Sequence, residues 1–173
     1  MKSQFFIFFR NISTLFISWF GNLSLIILFF FVTSCNSDRL FDKFENIPAE
    51  SWDKNLPVTF RAVINDTITP VNVIIFIRHN GEYPKSNLYL FVKTTSPLGF
   101  SMKDTVLCTL ANEKGKWLGS GFGSIWTHKI LYKKNVKFPF HGVYVFEFEQ
   151  AMRDNPLPGI IDVGLRIQKA KIN

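Results

Sequence analysis

Cys35 is the residue of this chain best placed for covalent chemistry. It follows a predominantly apolar run, Leu23–Val32, and the small residues Thr33 and Ser34, and the sequence turns polar at Asn36. A cysteine thiol is a strong nucleophile, and an apolar run of about ten residues is typical of a segment that directs a protein to a membrane. This arrangement predicts an export signal before Cys35 and a secreted domain after it.

The four residues Val32-Thr33-Ser34-Cys35 resemble the lipobox of bacterial lipoproteins. In that signal the cysteine receives a diacylglycerol, the peptide bond before it is cut, and the new N-terminal amine is acylated. We therefore predict a signal peptide at residues 1–34 and a mature chain that begins with a lipid-bearing Cys35. Apart from the diacylglycerol and the N-acyl chain, no cofactor is predicted.

Two other interpretations of this segment remain open. No residue between Arg10 and Asp38 is charged, so a longer apolar stretch would serve as a retained transmembrane anchor. Alternatively, Cys35 is removed with an ordinary signal peptide. The lipoprotein prediction is preferred because the four-residue motif lies directly against the change to polar sequence.

The other potential nucleophiles and ligands are isolated in the sequence. Cys108 alternates with Val106 and Leu110, and we predict that it is buried and unreactive, because a free cysteine packs as a small hydrophobe. The three histidines lie near predicted turns, and none stands at metal-ligand spacing from another ligand residue: His79, His128 and His141. Neither a metal site nor a catalytic residue is predicted, so the protein is expected not to be an enzyme.

The distribution of charge argues against two classes of function, nucleic-acid binding and catalysis by carboxylates. Of the 20 Lys and Arg residues only Lys2 and Arg10 precede Cys35, and all 13 acidic residues follow it, so the mature chain is modestly basic. Its charges are scattered, whereas a nucleic-acid site needs a clustered stripe. Isolated acids such as Asp104 and Glu147 do not indicate catalysis, because a catalytic carboxylate needs a cleft and a partner.

After Cys35 the sequence predicts short strands separated by turns. β-branched and aromatic residues recur in short runs, with Gly, Pro and Asn between them. Roughly seven or eight such strands, without a long helical period, predict an all-β fold with a single β-sandwich of jelly-roll type. We assign residues 35–57 to the lipidated cysteine, a tether and an N-terminal strand near 40–46, and residues 58–173 to the sandwich.

Three local features follow from turn signals and alternation. Asn80-Gly81 is a strong signal for a hairpin between the strands on either side. Residues 130–138 and 143–148 are predicted to pair through a turn that contains Pro139. Along residues 161–168 apolar and polar residues alternate, which is typical of a strand with one face in water.

Glycine and aromatic residues cluster between residues 115 and 132. The glycine-rich segment Gly115–Gly123 lacks the flanking strand and helix of a phosphate loop, so we interpret it as a place where backbones pack closely. Trp117, Trp126 and Tyr132 are either an exposed platform for a sugar ring or ordinary core residues. The platform would make the protein a lipid-anchored module that binds cell-surface polysaccharide.

A loop of mixed polar and apolar residues at 150–159 lies between two predicted strands. Loops often carry binding residues, so we single out a candidate partner surface made of Gln150, Arg153, Asp154 and Leu157. The competing interpretation is a structured crossover in which Met152 enters the core and Arg153 bonds to carbonyl groups.

The combination of motifs along residues 83–167 is more specific than any single one. The motifs are Tyr83–Phe91, Asp104-Thr105, Gly115–Gly121, Phe138-Pro139 with Gly142–Tyr144, Gln150–Arg153 and Leu157–Ile167. Together they resemble the GldH family of gliding-motility lipoproteins from Bacteroidetes, and the lipid-bearing cysteine of that family corresponds to Cys35.

This resemblance implies a function that composition and periodicity do not indicate. It implies an outer-membrane lipoprotein that is needed for gliding over surfaces and is linked to the type IX secretion machinery. It implies no known catalytic residue. The protein would therefore act as a non-enzymatic accessory component, through contacts with other gliding or secretion proteins of the outer membrane.

Overall fold

A computed structural model describes residues 38–171 of the chain, whose regular secondary structure consists of β-strands apart from a short 3-10 helix at Pro48–Glu50. Three of the strands are short and eight are long. In chain order they are β1 (Arg39–Asn46), β2 (Ser51–Trp52), β3 (Val58–Ile64), β4 (Val71–Asn80), β5 (Asn87–Thr95), β6 (Ser101–Thr109), β7 (Ser120–Phe122), β8 (Ile125–Val136), β9 (Gly142–Gln150), β10 (Leu157–Pro158) and β11 (Ile160–Lys169).

The long strands form two antiparallel sheets that pack face to face. One sheet has the order β1-β11-β4-β8-β7 and the other the order β3-β9-β5-β6, while β2 and β10 pair separately. If the eight long strands are numbered in sequence, the sheets read 1-8-3-6 and 2-7-4-5. This is the strand order of a jelly roll, so the predicted all-β sandwich is confirmed.

Alternation along each strand produces the core. β3, for example, reads buried, exposed, buried along its whole length from Val58 to Ile64. The inner faces of the two sheets meet in one apolar layer, whose members include Ile75, Ile77, Leu90, Phe146, Phe148 and Leu165. Within the described residues, the members of this layer and the side chains packed against it lie between residues 40 and 167.

Two predicted pairings are wrong, and both for the same reason. The strands on either side of Asn80-Gly81 lie in different sheets, and so do β8 and β9, which contain the predicted pair 130–138 and 143–148. In a jelly roll consecutive long strands mostly cross from one sheet to the other. Among the long strands described here, only β5 and β6 form a hairpin. A turn signal marks a reversal of the chain but does not say which sheet the next strand joins.

The prediction of a strand with one wet face at residues 161–168 is also wrong, because both faces of β11 are covered. On the outer face Phe44 lies over Gly164, where a Cβ atom would come within 2.5 Å of the Phe44 ring. The ring centroids of Phe44 and Phe76 are 5.4 Å apart. A glycine on β11 therefore provides the space for an aromatic cover on the outside of the sheet.

Two ion pairs border this aromatic cover. The fully buried carboxylate of Asp162 accepts hydrogen bonds from Nε of Arg78 at 2.7 and 2.8 Å. The Arg78 guanidinium also lies 5.5 Å from the centroid of the Phe44 ring. On the other side Asp42 pairs with Arg166 at 2.9 Å. The outer face of β11 is thus held by charge and aromatic contacts together.

Arg78→Met should lower the free energy of unfolding by about 3 kcal/mol, because it leaves the buried Asp162 carboxylate without its partner. Urea unfolding at neutral pH measures this loss. Arg39→Met is the control, since Arg39 is exposed and its partner Asp42 keeps Arg166. The control should change stability by less than about 0.5 kcal/mol. Equal losses of unfolding free energy in the two variants would contradict the stabilising role assigned to the Arg78–Asp162 pair.

Candidate functional site

The candidate partner surface lies at one end of the sandwich, opposite to the point where the chain enters β1. We call this end the far end, and its connections are residues 47–57, 81–86, 110–119 and 151–159. The last connection winds around the side chain of Gln150. Its Nε2 donates to the Asp154 carbonyl at 3.0 Å, and its Oε1 accepts from the Met152 amide at 2.8 Å.

The C-terminal half of the same loop is locked to its neighbours. Leu157 is fully buried and lies opposite Trp52 in the short ribbon of β2 and β10. Gly159 has a φ of +83°, and a Cβ atom there would come within 2.8 Å of the Tyr83 amide nitrogen. Its own amide donates to the Glu50 carbonyl at 2.8 Å. Residues 151–159 therefore form a rigid crossover.

The four predicted surface residues divide into two groups. Gln150 and Leu157 are buried and shape the loop. Arg153 is exposed, and Asp154 forms an ion pair with Lys85 at 3.1 Å, with both side chains about two-fifths exposed. The accessible part of the candidate surface consists of Arg153 and Asp154, with Lys85 beside them. Their binding of a partner stays a prediction.

A buried pair of histidines, which the sequence did not indicate, lies beneath the far end. His79 on β4 and His128 on β8 place their Nε2 atoms 3.0 Å apart. Nδ1 of His79 lies 2.6 Å from the Asn80 carbonyl oxygen and must donate to it, so Nε2 of His128 donates to Nε2 of His79. The pair was missed because 49 residues separate its members and only the sheet register joins them.

This environment keeps the two rings neutral. Burial lowers the pKa of His128 to about 4, and the neighbouring His79 adds to the effect. Burial also lowers the pKa of His79. The ring of Trp117 packs edge-on against His79 at 4.4 Å, and Tyr83 lies 5.4 Å away. The two histidines therefore form a neutral, hydrogen-bonded pair that closes this end of the core.

The other side chains considered for chemistry, Cys108, Asp104 and Glu147, are held by burial, hydrogen bonds or ion pairs. Burial raises the pKa of the Cys108 thiol to about 12, which agrees with the predicted unreactive state. Hydrogen bonds from Lys133 and then from Tyr132 hold the pKa of Asp104 below its ordinary value. Glu147 pairs with Lys93 at 2.8 Å. Within residues 38–171 no group of three His, Cys, Asp or Glu side chains is placed to hold a metal ion.

Two glycines of the Gly115–Gly123 segment lie in close packing, Gly119 against backbone as expected and Gly121 against an aromatic ring. A Cβ atom on Gly119 would lie 2.5 Å from the Thr127 carbonyl oxygen, and one on Gly121 would lie 2.7 Å from the Trp126 ring. Trp117 and Tyr132 pack against the core. Trp126 and Tyr132 are six residues apart on β8, about 20 Å at the usual rise, so the three rings do not form one flat platform.

Comparison with known proteins now adds the family. The strand order and the loops of the far end define the described part of the chain as a jelly-roll domain with a rigid, charged loop surface. The chain belongs to the GldH lipoprotein family, because the family model matches residues 39–167, nearly the whole described domain. No solved structure matches the chain significantly.

Two relatives cover most of both chains. One is 38% identical over 152 residues, which is 84% of this chain and 91% of the relative; it is named gliding motility lipoprotein GldH homolog, from Christiangramia forsetii. The other is 36% identical over 154 residues, 85% of this chain and 92% of the relative; it is named gliding motility lipoprotein GldH, from Flavobacterium johnsoniae. The predicted family is confirmed.

The predicted signal peptide at 1–34 and the lipid attachment at Cys35 lie outside the described residues. In the described part of the chain no helix has the length and apolar character to cross a membrane. The anchor therefore stays a prediction from sequence.

The stability of the domain should fall between pH 7 and pH 5 because of His128. A histidine with a pKa of about 4 when folded and about 6.5 when unfolded is neutral in both states above pH 6.5, and below that the unfolded state binds more protons. The expected loss from this residue is about 2 kcal/mol at pH 5. His128→Gln keeps a donor for His79 and should reduce the pH dependence by that amount.

Urea unfolding of both proteins at the two pH values gives the comparison. The difference between pH 7 and pH 5 should be smaller in His128→Gln than in the wild type, whatever the two absolute stabilities are. Equal pH dependence in both proteins would show that His128 is protonated as readily in the folded state as in the unfolded one.

Proposed function

We propose that this protein is an outer-membrane lipoprotein that acts as a non-enzymatic accessory component of gliding motility and of the linked type IX secretion machinery. The observation that carries the proposal is the similarity, at 36% and 38% identity over most of the chain, to two proteins named gliding motility lipoproteins. The link to secretion rests on the family resemblance described above. Contacts with other proteins of the outer membrane would provide the function.

Attachment through Cys35 would confine the domain to a membrane surface. Each buried methylene contributes about 0.8 kcal/mol, so a single acyl chain binds only marginally, whereas two or more chains anchor stably. A diacylglycerol on sulfur and an acyl chain on nitrogen supply three chains. The domain would then meet its partners by diffusion in two dimensions.

The far end is the part of the domain best suited to protein contacts. Its loop is held rigid by Gln150 and Gly159, so little ordering entropy is lost when a partner binds. Arg153 and the Lys85–Asp154 pair present charges of both signs that would select a complementary partner. No comparable observation favours the polysaccharide alternative.

Cys35→Ser should release the protein from the membrane or mislocalise it, without unfolding the domain. A serine hydroxyl does not form the thioether, and position 35 precedes the apolar layer, whose described members lie between residues 40 and 167. Cell fractionation gives the location, and intact-mass analysis shows whether the diacylglycerol and acyl chain are lost. A mutant that stays in the membrane fraction at the wild-type mass would disprove acylation at Cys35.

Replacing Arg153 and Asp154 together by Ala should impair gliding, because both side chains belong to the accessible part of the candidate surface. Spreading of colonies and movement of single cells are the measurements. The matched control replaces Glu113 and Lys114, an exposed pair of opposite charges in a neighbouring far-end connection, and should glide normally. Both proteins must be present at wild-type levels.

Two outcomes would contradict these proposals. Normal gliding in the Arg153 and Asp154 variant would remove this surface from the mechanism. Normal gliding and normal secretion after deletion of the whole gene would remove the accessory function itself. Cross-linking in intact cells, followed by mass spectrometry, would then identify which proteins the domain contacts.

A further inference from the structure

The end of the sandwich opposite the far end carries apolar side chains that point into solvent. We call it the entry end, because the chain enters β1 here, and its connections are residues 65–70, 96–100 and 137–141. Three large side chains at the tips of these connections are 62–78% exposed: Ile68, Leu98 and Phe100. Clusters of exposed apolar side chains on a stable domain mark sites of interaction.

The loops hold these tips away from the core. Oδ1 of Asp66 accepts hydrogen bonds from the Ile68 and Thr69 amides at 2.8 and 2.9 Å. In the next loop the Ser96 amide donates to the Phe100 carbonyl at 2.8 Å. The rings of Phe100 and Phe140 stack with centroids 6.2 Å apart, which joins two of the loops. The apolar tips therefore form a preformed surface.

Lysines surround the same surface. Lys134, Lys137, Lys169 and Lys171 lie at the ends of β8 and β11 and are exposed, and none of them forms an ion pair with another residue in 38–171. The acids at this end are Asp38 and Asp66. A shallow depression of about 600 Å³ separates two of the lysines and is lined by Asn72, Lys134, Asn135, Gln168 and Lys171.

The predicted lipid is attached close to this end. Cys35 precedes Asp38 by three residues, which span at most about 11 Å even when fully extended. This step rests on the proposed anchor at Cys35. Three acyl chains in the membrane would therefore bring the entry end, and not the far end, within reach of the lipid headgroups.

We infer that the entry end docks on an anionic phospholipid surface, the membrane in which the protein's own acyl chains are inserted. Ile68, Leu98 and Phe100 enter the interface between headgroups and acyl chains, and the lysines pair with phosphates. This docking turns a flexible tether into a defined orientation. The far end, with Arg153 and Asp154, then faces away from the membrane toward partner proteins.

The first test uses residues 36–173 without lipid, a fragment that includes the compact unit Asp38–Asn173. It should sediment with vesicles that contain phosphatidylglycerol, bind vesicles of phosphatidylcholine far more weakly, and lose binding as salt is raised. Because each lysine near an anionic surface contributes about fivefold to affinity, Lys134→Glu with Lys171→Glu should weaken binding by about 25-fold or more. The matched control is Lys54→Glu with Lys114→Glu at the far end, which should bind nearly as the wild type does.

The apolar tips have a matched control as well. Replacing Ile68, Leu98 and Phe100 by Ser should weaken vesicle binding, whereas replacing the exposed far-end residues Leu56, Leu118 and Phe122 by Ser should not. Circular dichroism and urea unfolding establish that both variants are folded. Absence of vesicle binding by the wild-type fragment, or equal losses in entry-end and far-end variants, would overturn the inference and assign the apolar tips to a protein contact.

The second test measures orientation in the acylated protein. The three tryptophans that follow Cys35, at positions 52, 117 and 126, belong to the far end. In vesicles of brominated phospholipid, Phe100→Trp should add a strongly quenched fluorescence component, whereas Leu118→Trp should be quenched no more than the wild type. Equal quenching at both positions would show that the domain has no preferred orientation.

These tests separate the inference from the function it builds on. The vesicle experiment needs neither acylation nor gliding, so it can succeed when Cys35→Ser shows that no lipid is attached. Conversely, normal acylation and gliding with no vesicle binding by the fragment would retain the proposed function and reject the docking surface.

Discussion

One apolar layer between the two sheets holds this domain together, because the described residues contain a single cysteine, Cys108, and it is free. Every long strand contributes alternate side chains to that layer, and the strands cross it from end to end. The connections are therefore confined to the two ends of the sandwich. The sheets themselves form the two faces of the sandwich. Loops with their own shape and charge therefore occur at its two ends.

The two ends differ in physical character. At the far end, buried polar groups such as Gln150 and the His79–His128 pair organise the connections from below, and the exposed side chains above them are both charged and apolar. At the entry end, backbone turns hold Ile68, Leu98 and Phe100 out of the core, among lysines that form no ion pair with another described residue. A ten-residue strand such as β4 spans about 33 Å, so a membrane contact at one end leaves the other end well clear of the lipid.

Much of this domain could be predicted from local sequence. A strand was predicted near residues 40–46 and is observed at Arg39–Asn46, Cys108 was placed in the core, and the close packing at Gly119 and Gly121 followed from composition. The wrong predictions concern which strands and faces meet, and not which residues form strands. Asn80-Gly81 does turn the chain, but the next strand joins the other sheet, and β11 is covered on both faces because Phe44 comes from the other end of the sequence.

The sequence by itself determines the features that depend only on neighbouring residues. Side-chain alternation in a strand has a period of two, and a lipidation signal is recognised in an extended segment, so neither requires knowledge of distant residues. Tertiary structure decides which residues meet: the histidines 49 positions apart, the burial of Gln150 and Leu157 within their loop, and the gathering of apolar tips and lysines at the entry end. These depend on which apolar faces pack together, and that choice is made by the whole core at once.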